Sequence, residues 1–117
     1  MPNLKRSLAS AAVAASAVVL ALGLSGSPAF AAVDPGTPGY LTFWQGGFTG
    51  PTLEYSPSQV DTSCVTLPFS VQADLNYSYR TALVYDGTGC TGSTLTLPAG
   101  DLHSFGGFVG KSFRFAS

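Results

Sequence analysis

Phe43-Trp44-Gln45-Gly46-Gly47-Phe48-Thr49-Gly50 decides how this chain is read, because the chain writes the pattern twice. The second copy is Tyr85-Asp86-Gly87-Thr88-Gly89-Cys90-Thr91-Gly92. In each copy an aromatic leads, Phe or Cys follows in the middle, and Gly closes two residues later. The echo runs on past the motif: Gly47/Gly89, Thr49/Thr91, Gly50/Gly92, Thr52/Thr94 and Leu53/Leu95 all pair at one constant offset. A fixed-offset echo of that length marks a duplicated supersecondary unit.

Working outward from the motif, short apolar/polar alternations separated by turn residues recur along the chain. Residues 40–44 and 52–55 predict two strands joined across Gln45-Gly46-Gly47, where glycine supplies the positive φ of a tight connection. Residues 56–63 carry Pro57 and small polar residues and read as a loop. Residues 64–69 alternate again, with Val65, Leu67 and Phe69 on one side, and Pro68 argues for an edge strand or a strand end. Residues 73–77 predict a fourth strand whose apolar members are Leu75 and Tyr77. The second unit repeats the plan with strands at 81–85, 93–97, 102–105 and 111–115. No helical stripe interrupts them, so the expectation is an all-β sandwich of about eight short strands.

The N-terminal region reads differently. Lys5 and Arg6 precede an apolar run of small residues over 8–24, and Ala29-Phe30-Ala31 fits the A-x-A cleavage rule. Gly23, Gly26 and Pro28 favour a cleaved signal peptide over a membrane anchor. The chain therefore divides into a signal peptide at 1–31, a flexible Pro/Gly lead-in at 32–39 and one domain at 40–117, with a secreted, extracellular destination. A domain of about 86 residues gains from a covalent staple. Cys64 and Cys90 are the only cysteines, and an exported chain oxidises such a pair.

Charge excludes two partner classes. Without Lys5 and Arg6 the chain sets Arg80, Lys111 and Arg114 against Asp34, Glu54, Asp61, Asp74, Asp86 and Asp101. No basic stripe exists to track phosphates, so nucleic acid is not expected as a partner. No basic amphipathic stretch suits a membrane surface once the signal is removed.

The repeated hairpin motif, with each unit closing on a strand such as Ser112-Phe113-Arg114-Phe115, resembles the βγ-crystallin fold. The likeness is to its small exported bacterial branch, which includes the I36 peptidase-inhibitor family and the killer-toxin-like proteins. It implies a double Greek key in which the third strand of each unit crosses to the other unit's sheet. It also implies that Phe43 and Tyr85 shield the folded hairpins, that Phe48 fills the middle position, and that Gly50 and Gly92 take a backbone conformation costly for any Cβ-bearing residue. In the family a serine opening the fourth strand ties down the hairpin; Ser112 fits, and Asp74 would stand in for it in the first unit. The strand crossing brings Cys64, at the start of the third strand, toward Cys90 in the other hairpin. Their disulfide should then pin the two units together with Cα atoms within about 7 Å.

Chemistry is sparse. His103 is the only histidine, and although Asp101 and Ser104 lie beside it, strand parity turns Ser104 away from both. No catalytic residue and no enzyme activity are expected. Zinc is poorly served by a single histidine without free cysteines. The family's calcium signature needs acidic residues ahead of the fourth-strand serine, and those slots hold Gly107 and Phe108 in one unit, Phe69 and Ser70 in the other. No metal or other cofactor is expected, and Asp74 and Asp86 read as solvated turn acids.

Binding remains. Parity turns Leu41 and Phe43 inward and Thr42 and Trp44 outward, which makes Trp44 a candidate anchor unless the lead-in covers it. The 56–63 loop, ending at Cys64, offers Pro57, Ser58, Gln59, Val60 and Asp61 as an extended segment for a protease cleft. The resemblance implies a monomeric, non-enzymatic peptidase-inhibitor-like module acting on an extracellular metalloprotease. The alternatives are a killer-toxin-like antimicrobial protein and a passive extracellular structural protein.

Overall fold

The computed structural model describes residues 32–117, so the signal-peptide reading of residues 1–31 lies outside the described residues. Period-two alternation becomes eight strands: β1 (Leu41–Trp44), β2 (Thr52–Tyr55), β3 (Val65–Val71), β4 (Ala73–Asn76), β5 (Ala82–Tyr85), β6 (Thr94–Leu97), β7 (Leu102–Ser104) and β8 (Gly110–Phe115). They form two four-stranded antiparallel sheets, β2-β1-β4-β7 and β3-β8-β5-β6. The third strand of each half therefore lies at the edge of the other half's sheet. Pro68 sits in edge strand β3, where its missing N–H costs no ladder bond, and the pairing with β8 shifts register between Thr66 and Val71.

Apolar residues from both sheets meet between them. Phe113 of β8 is the centre of this core, with its ring 5.2 Å from Phe43, 5.0 Å from Tyr55 and 5.4 Å from Phe115. All four rings are buried. Truncating such a ring removes about 3–5 kcal/mol.

β4 breaks the pattern that the rest of the core obeys. Its inward residues are Asp74 and Asn76, whereas Leu75 faces the outside of its sheet, paired with Thr42 and Leu102. Asn76 is wholly buried and fully engaged. Its Nδ2 donates to the carbonyls of Arg80 (2.8 Å) and Leu97 (2.9 Å), and its Oδ1 accepts from Ser78 N (3.1 Å) and Ser78 Oγ (2.6 Å). These bonds tie the β4–β5 connection to the end of β6, which a hydrophobic residue could not do.

Two segments differ from the sequence expectation. The lead-in is tied to the first sheet: Gly39 N donates to Tyr77 O (2.8 Å), Tyr77 N to Tyr40 O (3.0 Å), and Gly36 N to Thr42 Oγ1 (3.1 Å). Residues 57–60, expected as extended loop, form a helical turn, α1 (Pro57–Val60), with Pro57 at its start. Gln59 Oε1 turns back to accept from Ser56 N at 2.9 Å, which is one half of a capping box.

The two hairpins also differ in length. Trp44 pairs with Thr52 and Tyr85 with Thr94, so the connections run over 45–51 and 86–93, the second one residue longer. Trp44 is thus the counterpart of Tyr85, and Phe43 that of Val84. Phe43 therefore packs inward instead of shielding its hairpin. Both hairpins pivot on glycine in the left-handed region, Gly50 at φ 83° and Gly92 at φ 93°, just after a strained non-glycine residue, Phe48 (φ 64°) or Cys90 (φ 59°).

Cys64 and Cys90 form a disulfide with Cα atoms 6.0 Å apart, joining the chain just before β3 to the β5–β6 hairpin and so the two halves to each other. Replacing both cysteines with serine should lower unfolding free energy by about 3–4 kcal/mol, read by urea titration. Gly50→Ala should cost about 1–2 kcal/mol for its left-handed backbone. Gly92→Ala should cost more, because its new Cβ would also collide with Asp86 Oδ1. Equal losses at the two glycines would show that the contact with Asp86 is irrelevant.

Candidate functional site

In the second half Ser112 locks the hairpin onto the sheet. Its Oγ donates to Gly87 O at 2.6 Å and accepts from Cys90 N at 2.8 Å, while Thr66 Oγ1 accepts from Gly89 N at 3.0 Å. The first half has no such lock. Tyr85 pairs with Ser112, but Trp44 pairs with Ala73, so Ala73, and not Asp74, occupies the serine's position. Alanine has no hydroxyl, and the first hairpin closes on its own backbone through Gln45 N to Pro51 O and Gly46 N to Thr49 O, both at 3.0 Å.

That hairpin presents an aromatic pair toward solvent. Phe48 is 40% exposed at its left-handed position, with its ring 5.1 Å from Trp44 in an edge-on contact. Trp44 is half-buried and lies on the outer face of the sheet. The lead-in covers Thr42, its neighbour on that face, through the Gly36 bond.

The residues at 57–61 are arranged otherwise than a cleft-binding loop requires. Pro57 opens the turn, Ser58 Oγ meets Ser56 Oγ at 2.9 Å, Gln59 caps, and Val60 is buried in the core. Asp61 is exposed and paired with Arg80 Nη2 at 3.2 Å; a solvated pair of this kind adds little stability. The segment is folded back on itself, with Val60 contributing to the core.

A second cluster joins residues that the sequence keeps apart. β4 pairs with β7 so that Asp74 faces His103, with Phe43 on the other side of Asp74. Asp101 and His103 share a face of the chain, and His103 Nδ1 lies 2.5 Å from Asp101 Oδ2 and 3.3 Å from Asp74 Oδ1. Asp101 is the nearer of the two carboxylates to this nitrogen. Asp74 has 0% exposure, and neither of its oxygens has a hydrogen-bond partner among the described residues. It is a buried carboxyl, not the solvated turn acid expected from its neighbours in sequence.

Loss of water pushes the Asp74 carboxyl up to about 9. The neighbouring Asp101 carboxylate pushes in the same direction, and the His103 backbone opposes the shift. Glu54, half-buried on the outer face of β2, is also raised, chiefly by burial. Ser104 pairs with Ala73 on the opposite face from His103, so no hydroxyl nucleophile follows the Asp101–His103 pair on its own strand. Asp101-x-His103 was visible in the sequence as one face of a strand. The third member required the β4–β7 pairing, which has no local signal.

No protein-family model, curated protein or solved structure matches this chain.

The raised Asp74 carboxyl has a signed consequence. Below the unfolded value of 3.8 both states hold its proton; from there to about 9 only the folded chain does. Its contribution is therefore complete in acid and is lost as pH rises through about 9. Urea titrations in chelator from about pH 4 to about pH 9 should show stability falling with pH, and Asp74→Asn should flatten the upper part of that slope. Glu54 acts in the same direction over a lower range, so the lower part should persist in the variant.

Proposed function

We propose that this chain is an exported, non-enzymatic binding module, resembling the peptidase-inhibitor branch of the βγ-crystallin-like proteins and directed at an extracellular metalloprotease. The observation that carries the reading is the Trp44–Phe48 pair on the β1–β2 hairpin. A large apolar ring held at positive φ and 40% exposed is stabilised neither by its backbone nor by full burial. Such a residue makes sense as an anchor for an apolar pocket on another protein. The hairpin backbone closes on itself and Trp44 braces the ring, so little rotamer freedom is lost on docking. The duplicated glycine-pivoted hairpin and the alternate-sheet placement of the third strands support the family likeness. The contact assigned here to Phe48 replaces the one expected from residues 57–61, which the turn α1 folds inward.

Inhibition assays against thermolysin-like and subtilisin-like proteases test the reading. The wild-type chain should inhibit the metalloprotease class, and Phe48→Gly should weaken inhibition by about thirtyfold, the scale of one interface hot spot. Glycine relaxes the left-handed position, so this variant keeps or gains stability and a loss of inhibition cannot be ascribed to unfolding. Ser58→Ala should leave inhibition unchanged. Absence of inhibition in both classes by the wild-type chain would refute the protease assignment.

A further inference from the structure

The two halves can be laid over each other by strand register, and one difference stands out. Val84 of β5 pairs with Phe113 of β8, which pairs with Val65 of β3. The equivalent row in the first half is Phe43, Asp74 and His103. An apolar pair, Phe113 and Val65, is thus replaced by a carboxyl and an imidazole, and the replacement is concerted. Asp101, in the turn leading to β7, adds a second carboxylate to the same point. The ligand atoms of Asp74, Asp101 and His103 all lie within 4.8 Å of one another.

A buried polar group normally has a partner. Asn76, two residues along the same face of β4, meets this rule with five bonds. Asp74 does not: it is completely buried, neither of its oxygens has a hydrogen-bond partner among the described residues, and one of them lies 3.3 Å from the imidazole Nδ1. A cation centred among the three groups would satisfy both carboxylates and the ring nitrogen together. His103 is 39% exposed at the sheet edge, which leaves the site a way in for the ion and water to complete its coordination.

We propose that Asp74, Asp101 and His103 form a binding site for one divalent first-row transition metal ion of the zinc class. The donor set selects the ion. An imidazole nitrogen with two carboxylate oxygens suits zinc, nickel or copper, while calcium requires six or more oxygen ligands. Three protein ligands and one open position is the arrangement of a zinc site accessible to solvent. The ion would bridge β4 to β7 and so fasten the first half's sheet to the strand it receives from the second. Bound there, it performs for this half the cross-half fastening that the disulfide performs for the other.

The test uses the untagged chain with its disulfide intact, stripped with chelator and titrated with zinc by calorimetry, then with cobalt followed by visible absorption. The expected result is one zinc per chain, a rise in melting temperature with zinc but not with calcium, and a cobalt d–d spectrum showing nitrogen and oxygen ligation. Asp74→Asn and His103→Gln should each weaken zinc at least about tenfold. Asp74→Asn is isosteric and removes an uncompensated buried acid, so it should fold and isolate the loss of a ligand. Zinc uptake that is undetectable, or unchanged in both variants, would overturn the site. The second result would place the metal elsewhere, and the first would leave Asp74 as a buried carboxyl of the core with no metal role.

Discussion

The third strand of each half belongs to the sheet of the other half, and the fold depends on keeping it there. An edge strand exchanged in this way pairs on one side only, so ties outside the ladder matter for keeping it in place. β3 is held covalently, by Cys64 just before the strand and Cys90 in the receiving hairpin, and again by Thr66, which accepts from Gly89 N. β7, the reciprocal strand, has no covalent tie. It is three residues long and pairs only with β4, and Asn76 N bonds Asp101 O where the chain enters it.

The same imbalance runs through the two hairpins. Ser112 anchors the second to its sheet through a donor and an acceptor bond, while Ala73 leaves the first without that anchor. The second hairpin uses its strained middle residue, Cys90, for the disulfide, and the first uses Phe48 to present a ring to solvent. The repeat provides two equivalent places, and one of them is committed to stability. The other is free to carry polar groups in the core row and an apolar group at the surface, each costing stability unless something outside the fold meets it.

Much of this was legible from the residues. The strand count, the edge position of Pro68 and the disulfide follow from short-range rules, namely alternation, a missing N–H and a lone pair of cysteines, while the conformation expected at Gly50 and Gly92 rests on the family likeness. The errors came where those rules meet a longer-range choice. A constant offset aligned Phe43 with Tyr85, but the extra residue in the second hairpin shifts the strands by one, and a shift of one moves every side chain to the other face. In β4 the apolar members are Leu75 and Tyr77, yet the lead-in covers the outer face, where Leu75 lies, while Asp74 and Asn76 turn in. At 57–61 the Pro and small polar composition reads as an extended loop, but the reach of Gln59 back to Ser56 coils the segment.

The sequence by itself determined an all-β chain of two glycine-pivoted repeats stapled by one disulfide, because each of those features is encoded within a few residues or in the cysteine count. Only the tertiary structure decided what the repeats do differently. Asp74 lies 27 positions before Asp101 in the chain, and nothing local says that β4 and β7 are neighbours. Strand pairing across the halves puts a carboxyl in the core beside an imidazole and leaves an aromatic ring at the surface. Those placements are set by which strands meet and in what register, a property of the whole sandwich and not of any segment of it.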